Sequence, residues 1–241
     1  MHSASLIEEL QEDVVPTSAK RNSAPLSSGK PGRDCPRCPR LVAFRQEWRA
    51  KEPSWFNAPV PSFGPPDARL LIVGLAPGLR GANRTGRPFT GDYAGDLLYA
   101  TLKEYGFARG EFLARPDDSL ELIDARITNG VRCVPPENKP TPAEINTCRD
   151  FLKPTITEMP KLRAIVTLGR ISHETTVRSL GSKLKEAAFS HGGRAQIGPL
   201  ALFSSYHCSR YNTNTGVLTP EMFRSVFKAV RAYLDSSPPS S

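Results

Sequence analysis

Four short apolar runs constrain the fold of this chain more than any other feature. They are residues 69–75 (RLLIVGL), 123–128 (IDARIT), 163–168 (RAIVTL) and 200–204 (LALFS). Each is near-continuous in apolar side chains rather than alternating, the pattern of strands buried on both faces. Helical patterns separate them. Residues 93–105 follow Asp92 and bring Leu97, Leu98 and Leu102 toward one face. Thr141-Pro-Ala-Glu144 has the form of a capping box with proline at the first helical position, and it opens a helix through Ile145, Cys148 and Leu152. Thr219-Pro-Glu opens another, with Phe223, Val226, Phe227 and Val230 at inward spacing. Strands alternating with helices predict an α/β fold, a three-layer α/β/α sandwich around a mostly parallel four-stranded sheet. Ligands bind beyond the carboxyl ends of such strands, so the three loops that follow those ends form the candidate site.

The chain ends read differently. Residues 14–34 are rich in Ser, Pro, Lys and Gly without periodicity. Residues 1–34 are therefore expected to be a disordered lead-in, 35–235 the folded domain and 236–241 a disordered tail. The first 34 residues hold four basic and five acidic side chains, so the net charge of +8 leaves +9 on the remainder. A basic folded body favours a polyanion, either nucleic acid or an anionic membrane surface. No run approaches the ~20 apolar residues of a membrane helix, and the acidic N-terminus lacks the layout of a secretion signal. Five cysteines, an odd number, do not suggest a disulfide scaffold. A cytoplasmic protein with no membrane partner is expected.

The first loop, GLAPGLRGANRTGRPFTGD, runs from Gly74 to Asp92. Its glycines let backbone approach a ligand closely. Arg80, Arg84 and Arg87 are placed to face phosphates, Phe89 to stack on a planar ring, and Asp92 falls where a helix starts and equally reads as an N-cap. Neither the Walker pattern nor the dinucleotide fingerprint is present. The second loop is Ile127-Thr-Asn-Gly-Val-Arg-Cys133. Asn129 offers a donor and an acceptor side by side, able to read the edge of a uracil-like ring, and it also reads as a turn residue before Gly130. The third, SSYHCSRYNTNTG, carries His207, placed to hydrogen-bond a leaving group, with Arg210 and Tyr211 placed to follow or wedge into a nucleic acid.

Cys35-Pro-Arg-Cys38 is a C-x-x-C pair, and Cys133 and Cys148 lie far downstream. One such pair plus two dispersed cysteines is compatible with zinc or an iron–sulfur cluster, and each downstream cysteine alone reads as a core residue. Cys208 stands outside the set.

Taken in order, GLAPGLRGANRTGRPFTGD, ITNGVRC and SYHCSRYNTNTG resemble the motifs of family 5 uracil-DNA glycosylases. Cys35, Cys38, Cys133 and Cys148 are similar to the [4Fe–4S] ligands of families 4 and 5. The resemblance covers roughly residues 35–234. It implies an enzyme that flips uracil, and other deaminated bases, from double-stranded or single-stranded DNA and hydrolyses the N-glycosidic bond. It implies catalytic roles for Asp92 and His207, with Phe89, Asn129, Ala76 and Gly74 around the base. Relatives in other families carry a carboxylate soon after the first strand. Ala76 stands there here, as in family 5, which passes the water-handling role to Asp92. Family 5 has proline after the motif histidine, where this chain has Cys208. No lysine occupies the three loops to form a Schiff base, so a monofunctional glycosylase is expected, acting as a monomer and held to the nucleoid through DNA. A rival class is a non-catalytic iron–sulfur nucleic-acid-binding protein of the same fold. A third is a small electron carrier.

Overall fold

The structure, a computed structural model, describes residues 29–236. In chain order it runs α1 (Pro39–Lys51), β1 (Leu70–Gly74), α2 (Ala82–Thr85), α3 (Tyr93–Glu104), β2 (Ala108–Arg109), β3 (Glu121–Leu122), β4 (Ala125–Asn129), α4 (Pro142–Thr157), β5 (Ala164–Leu168), α5 (Arg170–Ser179), β6 (Arg194–Ile197), β7 (Leu200–Ser205), α6 (Arg210–Asn214) and α7 (Pro220–Asp235). One turn of 3-10 helix, Pro136–Asn138, precedes α4. The main sheet has the order β4-β1-β5-β7-β6, and β2 and β3 form a separate ribbon. Strands β4, β1, β5 and β7 are parallel, whereas β6 is antiparallel to β7.

The sheet therefore has five strands, not the four expected. Strand β6 lies at the edge and alternates exposed with half-buried residues, so it carries no continuous apolar run. Strand β4 begins at Ala125 rather than Ile123, because Asp124 turns the chain at a φ of +55° and leaves Ile123 exposed. The carboxylate of Asp124 accepts from the backbone N–H and the guanidinium of Arg69, which fixes the entry to β1.

Alternate residues of β1 point into different layers. Leu70 and Ile72 join Leu98 and Leu102 of α3 and Phe223 and Phe227 of α7. Leu71 and Val73 join Leu152 of α4 and Val177 of α5. This two-sided burial is why the run lacks alternation. The capping box of α4 forms: Thr141 Oγ1 accepts from Glu144 N at 3.3 Å, and Glu144 Oε2 accepts from Thr141 N at 2.8 Å. Helices α1 and α5 escape the sequence pattern. The first buries only Leu41 and Arg45. The second buries Ser172, His173, Thr175, Thr176, Val177 and Ser179. Hydroxyls of Ser172, Thr176 and Ser179 donate to carbonyls one turn back, so a polar segment faces inward satisfied.

The folded part begins earlier than residue 35. Gly29 is buried in a position where a side chain would strike Pro154 and Glu158, and Asp34 pairs with Arg49 at 2.5 Å. Gly29 and Asp34 thus touch the packed body. The rest of the expected lead-in, 1–28, and residues 237–241 of the tail lie outside the described residues.

Candidate active site

A cleft of about 370 Å³ opens at the carboxyl ends of the parallel strands, lined by residues including Ala76, Pro77, Gly78, Phe89, Asp92, Asn129, Asn138 and His207. Its floor follows from strand register. Gly74 and Asn129 are partners on β1 and β4, and Asn129 is only 3% exposed. A Cβ on Gly74 would collide with Asn129 Oδ1 and lie 2.8 Å from Phe89 Cζ. Only glycine leaves both side chains their space. Gly74→Ala should therefore retain the fold, with a small loss of Tm, while displacing Asn129 and Phe89; unmoved side chains in a structure of the variant would contradict this crowding.

Phe89 holds a φ of +54°, a conformation costly for a bulky residue. Its surroundings enforce it. Tyr99 Oη donates to the Pro88 carbonyl at 2.6 Å. Helix α3 presents Gly95 against the Phe89 carbonyl, where any side chain would overlap. The Phe89 ring faces the His207 ring, with centroids 6.1 Å apart and planes 26° from parallel.

Asp92 caps a helix and also lines the cleft. Oδ1 accepts from Gly95 N at 3.2 Å and caps α3. Oδ2 is turned toward Gly78, a residue of the cleft wall. His207 leaves β7 with its carbonyl held by Asn212 Nδ2 at 2.8 Å. Burial in the cleft holds the His207 imidazole below the usual histidine range, and the Asp92 charge offsets this only in part. A neutral imidazole therefore faces the cleft at neutral pH.

The basic residues divide. Arg80, Arg84 and Arg210 are exposed, the last with its guanidinium 5.9 Å from the Tyr93 ring centroid, and Tyr211 is 74% exposed. Arg87 is not available to phosphates. It is buried, its two Nη atoms donate to both oxygens of Asp118 at 2.6 and 2.7 Å, and the rings of Phe63, Tyr99 and Phe112 surround it. The expected phosphate ligand is a structural cation beneath the Phe89 turn. Its partner lies 31 residues away, so no local pattern reveals the pair.

Cys35, Cys38, Cys133 and Cys148 line one small pocket behind the cleft, with Leu41, Val131 and Phe151. Leu75 and Ala76 pack against this cysteine cluster and also line the cleft, so one stretch of chain separates the two. Among the described residues, no group of three or more His, Cys, Asp or Glu side chains is drawn together as one metal ion requires. The four thiols instead surround a space. Burial, aided by the neighbouring thiols, raises the Cys133 thiol to about 12 and the Cys148 thiol to about 11. Two buried cations adjoin them. Arg45 Nη1 approaches Cys133 Sγ at 3.6 Å and Nη2 donates to the Cys35 carbonyl. Arg132 donates its backbone N–H to Cys148 Sγ at 3.3 Å, while its guanidinium donates to the hydroxyls of Ser62 and Thr155. Cys208 lies apart, buried, its thiol directed to the Ala94 carbonyl at 3.5 Å.

Sequence reasoning missed Asn138, Asn212 and Asp118. Asn138 follows Cys133 closely in a proline-rich turn, which was a usable signal. The other two act through contacts that only the fold creates.

A family model described as the uracil DNA glycosylase superfamily matches residues 61–231. The chain is 46% identical to a type-5 uracil-DNA glycosylase of Thermus thermophilus, over 80% of this chain and 90% of that one. It is 43% identical to a type-5 enzyme of Mycobacterium leprae, over 80% and 89%. Identity is 37% to a type-5 enzyme of Pyrobaculum aerophilum, over 83% and 88%.

Proposed function

The chain belongs to the uracil-DNA glycosylase superfamily, with its type-5 enzymes, and from that membership we propose that it flips uracil out of DNA into this cleft and hydrolyses the N-glycosidic bond. It is a uracil-excising DNA glycosylase of DNA repair. The observation that carries the residue assignment is the convergence of Phe89, Asn129, Asp92 and His207 on one cleft at the carboxyl ends of β1, β4 and β7. Flipping is required because the glycosidic carbon is inaccessible in a stacked duplex.

Each role follows from chemistry. The Phe89 ring stacks on the base. The Asn129 amide donates to O4 and accepts from N3–H, a pair only an amide supplies. Neutral His207 donates to O2 as negative charge develops there, in a site already arranged for it. The free oxygen of Asp92 orients the attacking water and balances positive charge on the sugar. With no lysine in the three loops, the product is an abasic site without strand cleavage. Arg80, Arg84, Arg210 and Tyr211 hold the DNA, double-stranded or single-stranded, and the enzyme acts as a monomer in the cytoplasm, at the nucleoid.

The four cysteines fit a [4Fe–4S] cluster. Supporting this are the convergence of all four on one small pocket and the two buried guanidinium groups beside them. When bound, the cluster supplies a covalent tie between the α1 segment, the end of β4 and α4. Purified without air, the protein should be brown, with about four irons per chain, and Cys133→Ser should bleach it. Native zinc, or bleaching by Cys208→Ser alone, would contradict this ligand set.

The function itself is tested by base release from single- and double-stranded oligonucleotides carrying uracil, hypoxanthine or xanthine. Free uracil is expected from both forms. A brown protein that binds DNA and releases no base would favour the non-catalytic reading.

A further inference from the structure

We propose that His191 is a positioning residue for the reaction: its imidazole carries the hydrogen bonding of the sheet past the end of β6 and fixes the backbone from which His207 enters the cleft. The proposal rests on the reading of His207 as the group that meets the departing base.

The hydrogen bonds that lead to His207 show the gap that His191 fills. Strand β7 pairs with β6 from Leu200 to Phe203. The pairing continues for one residue through glycine backbone. Ser204 N donates to the Gly193 carbonyl at 3.0 Å, and Gly192 N donates to the Ser204 carbonyl at 2.8 Å. There the two chains part, as Gly192 takes a φ of +71°. Alternate N–H groups of a strand face the same neighbour, so the next one on that side belongs to Tyr206. His191 Nδ1 accepts it at 3.2 Å. A side chain does for Tyr206 what main chain does for Ser204.

The other backbone groups along this stretch are tied as well. Gly169 N donates to the Ser205 carbonyl at 2.8 Å. Ser205 Oγ donates to the Tyr206 carbonyl at 2.9 Å, and Asn212 Nδ2 donates to the His207 carbonyl at 2.8 Å. His191 supplies the tie on the N–H one residue before His207.

Its ring is set for that task. It stacks on the Tyr206 ring with centroids 5.1 Å apart and planes 20° from parallel, and Phe189 packs against Tyr206 at 5.9 Å. Accepting at Nδ1 places the proton of the neutral imidazole on Nε2. Burial favours that neutral form, opposed in part by the Met222 backbone at the start of α7. The contact reaches Tyr206 and not the substrate, so its effect on catalysis passes through His207. Displacements of about 1 Å at a reacting group cost up to about a hundredfold in rate, and a single freed N–H permits part of such a displacement.

Two substitutions separate the hydrogen bond from the ring. His191→Phe keeps an aromatic face for Tyr206 and removes the acceptor. His191→Asn shortens the side chain and keeps an acceptor oxygen near the place of Nδ1. Single-turnover uracil release should fall about tenfold in His191→Phe and recover most of that loss in His191→Asn, with undamaged duplex bound as by the parent. Melting curves select temperatures at which each variant is folded, and His191→Leu replaces the phenylalanine variant if that one does not fold. The decisive readout is the double mutant. Added to His207→Ala, the loss of the acceptor should cost less than about twofold, because the group it positions is already gone. Parental release by His191→Phe overturns the proposal, as does His191→Asn no faster than His191→Phe. A full tenfold loss in the His207→Ala background overturns it too, since His191 would then act on the fold or on another group. A parent protein that releases no uracil would instead contradict the base-pocket reading, and this proposal with it.

Discussion

Arg87→Met should lose about 3–5 kcal/mol of folding free energy, the largest stability effect expected outside the apolar core. The substitution keeps much of the apolar stem against Phe63, Tyr99 and Phe112 and removes only the charge. What it leaves is Asp118, whose side chain is fully buried. The guanidinium, with help from the backbone N–H groups of Leu113 and Leu120, holds that carboxyl far below the usual carboxylate range. Without the cation, two backbone donors remain to compensate a buried negative charge. The sign of the pH dependence follows. A carboxyl depressed in the folded state contributes its stability above its unfolded value of about 3.9, and that contribution is lost as pH falls below it. The deficit of Arg87→Met should therefore be full at neutral pH and shrink in acid, where Asp118 takes up a proton. Denaturant melts at neutral pH and near pH 3 would check this. Because the same pair lies under the strained Phe89 turn, uracil release should also fall at temperatures where the variant is folded. A variant as stable as the parent would mean that the ion pair does not hold this loop.

His207→Ala should cut single-turnover uracil release by roughly a hundredfold or more while leaving DNA affinity nearly intact. The charge His207 meets exists mainly in the transition state, so ground-state binding has little to lose. Its neutral form also makes a pH prediction. With the imidazole held below its ordinary value of about 6.5, the parental rate should stay level through that pH and fall only in more acidic solution, as the ring protonates. Asp92 is the group that partly offsets this depression. Asp92→Asn should thus move the acidic fall to lower pH, besides slowing release. Asparagine caps a helix about as well as aspartate, so the variant should melt with the parent. A full-speed Asp92→Asn enzyme would leave Asp92 as a cap for α3 alone.

Much of this was legible before any coordinates. The two-sided burial of β1, β4, β5 and β7 writes itself as apolar runs, and helices α3, α4 and α7 announce their starts with Asp92, Thr141 and Thr219. The cleft residues follow from those runs, because each motif loop leaves the carboxyl end of one strand. What stayed hidden lacks a local signature. Helix α5 buries hydroxyls instead of aliphatic side chains, and β6 is an edge strand with one wet face. Arg87 looked like its exposed neighbours Arg80 and Arg84 until Asp118 arrived from another loop.

The most direct test of the central claim, that this cleft reads and releases uracil, is single-turnover release of free uracil by the parent and by Asn129→Asp. Aspartate keeps the size of the amide, but when ionised it only accepts, so the donor to O4 is lost and acceptor meets acceptor. The parent should release uracil, and the variant should do so about a hundredfold or more slowly, with undamaged DNA bound as before. Parental release by Asn129→Asp would remove Asn129 from base recognition, and a parent that releases no uracil would contradict the account as a whole.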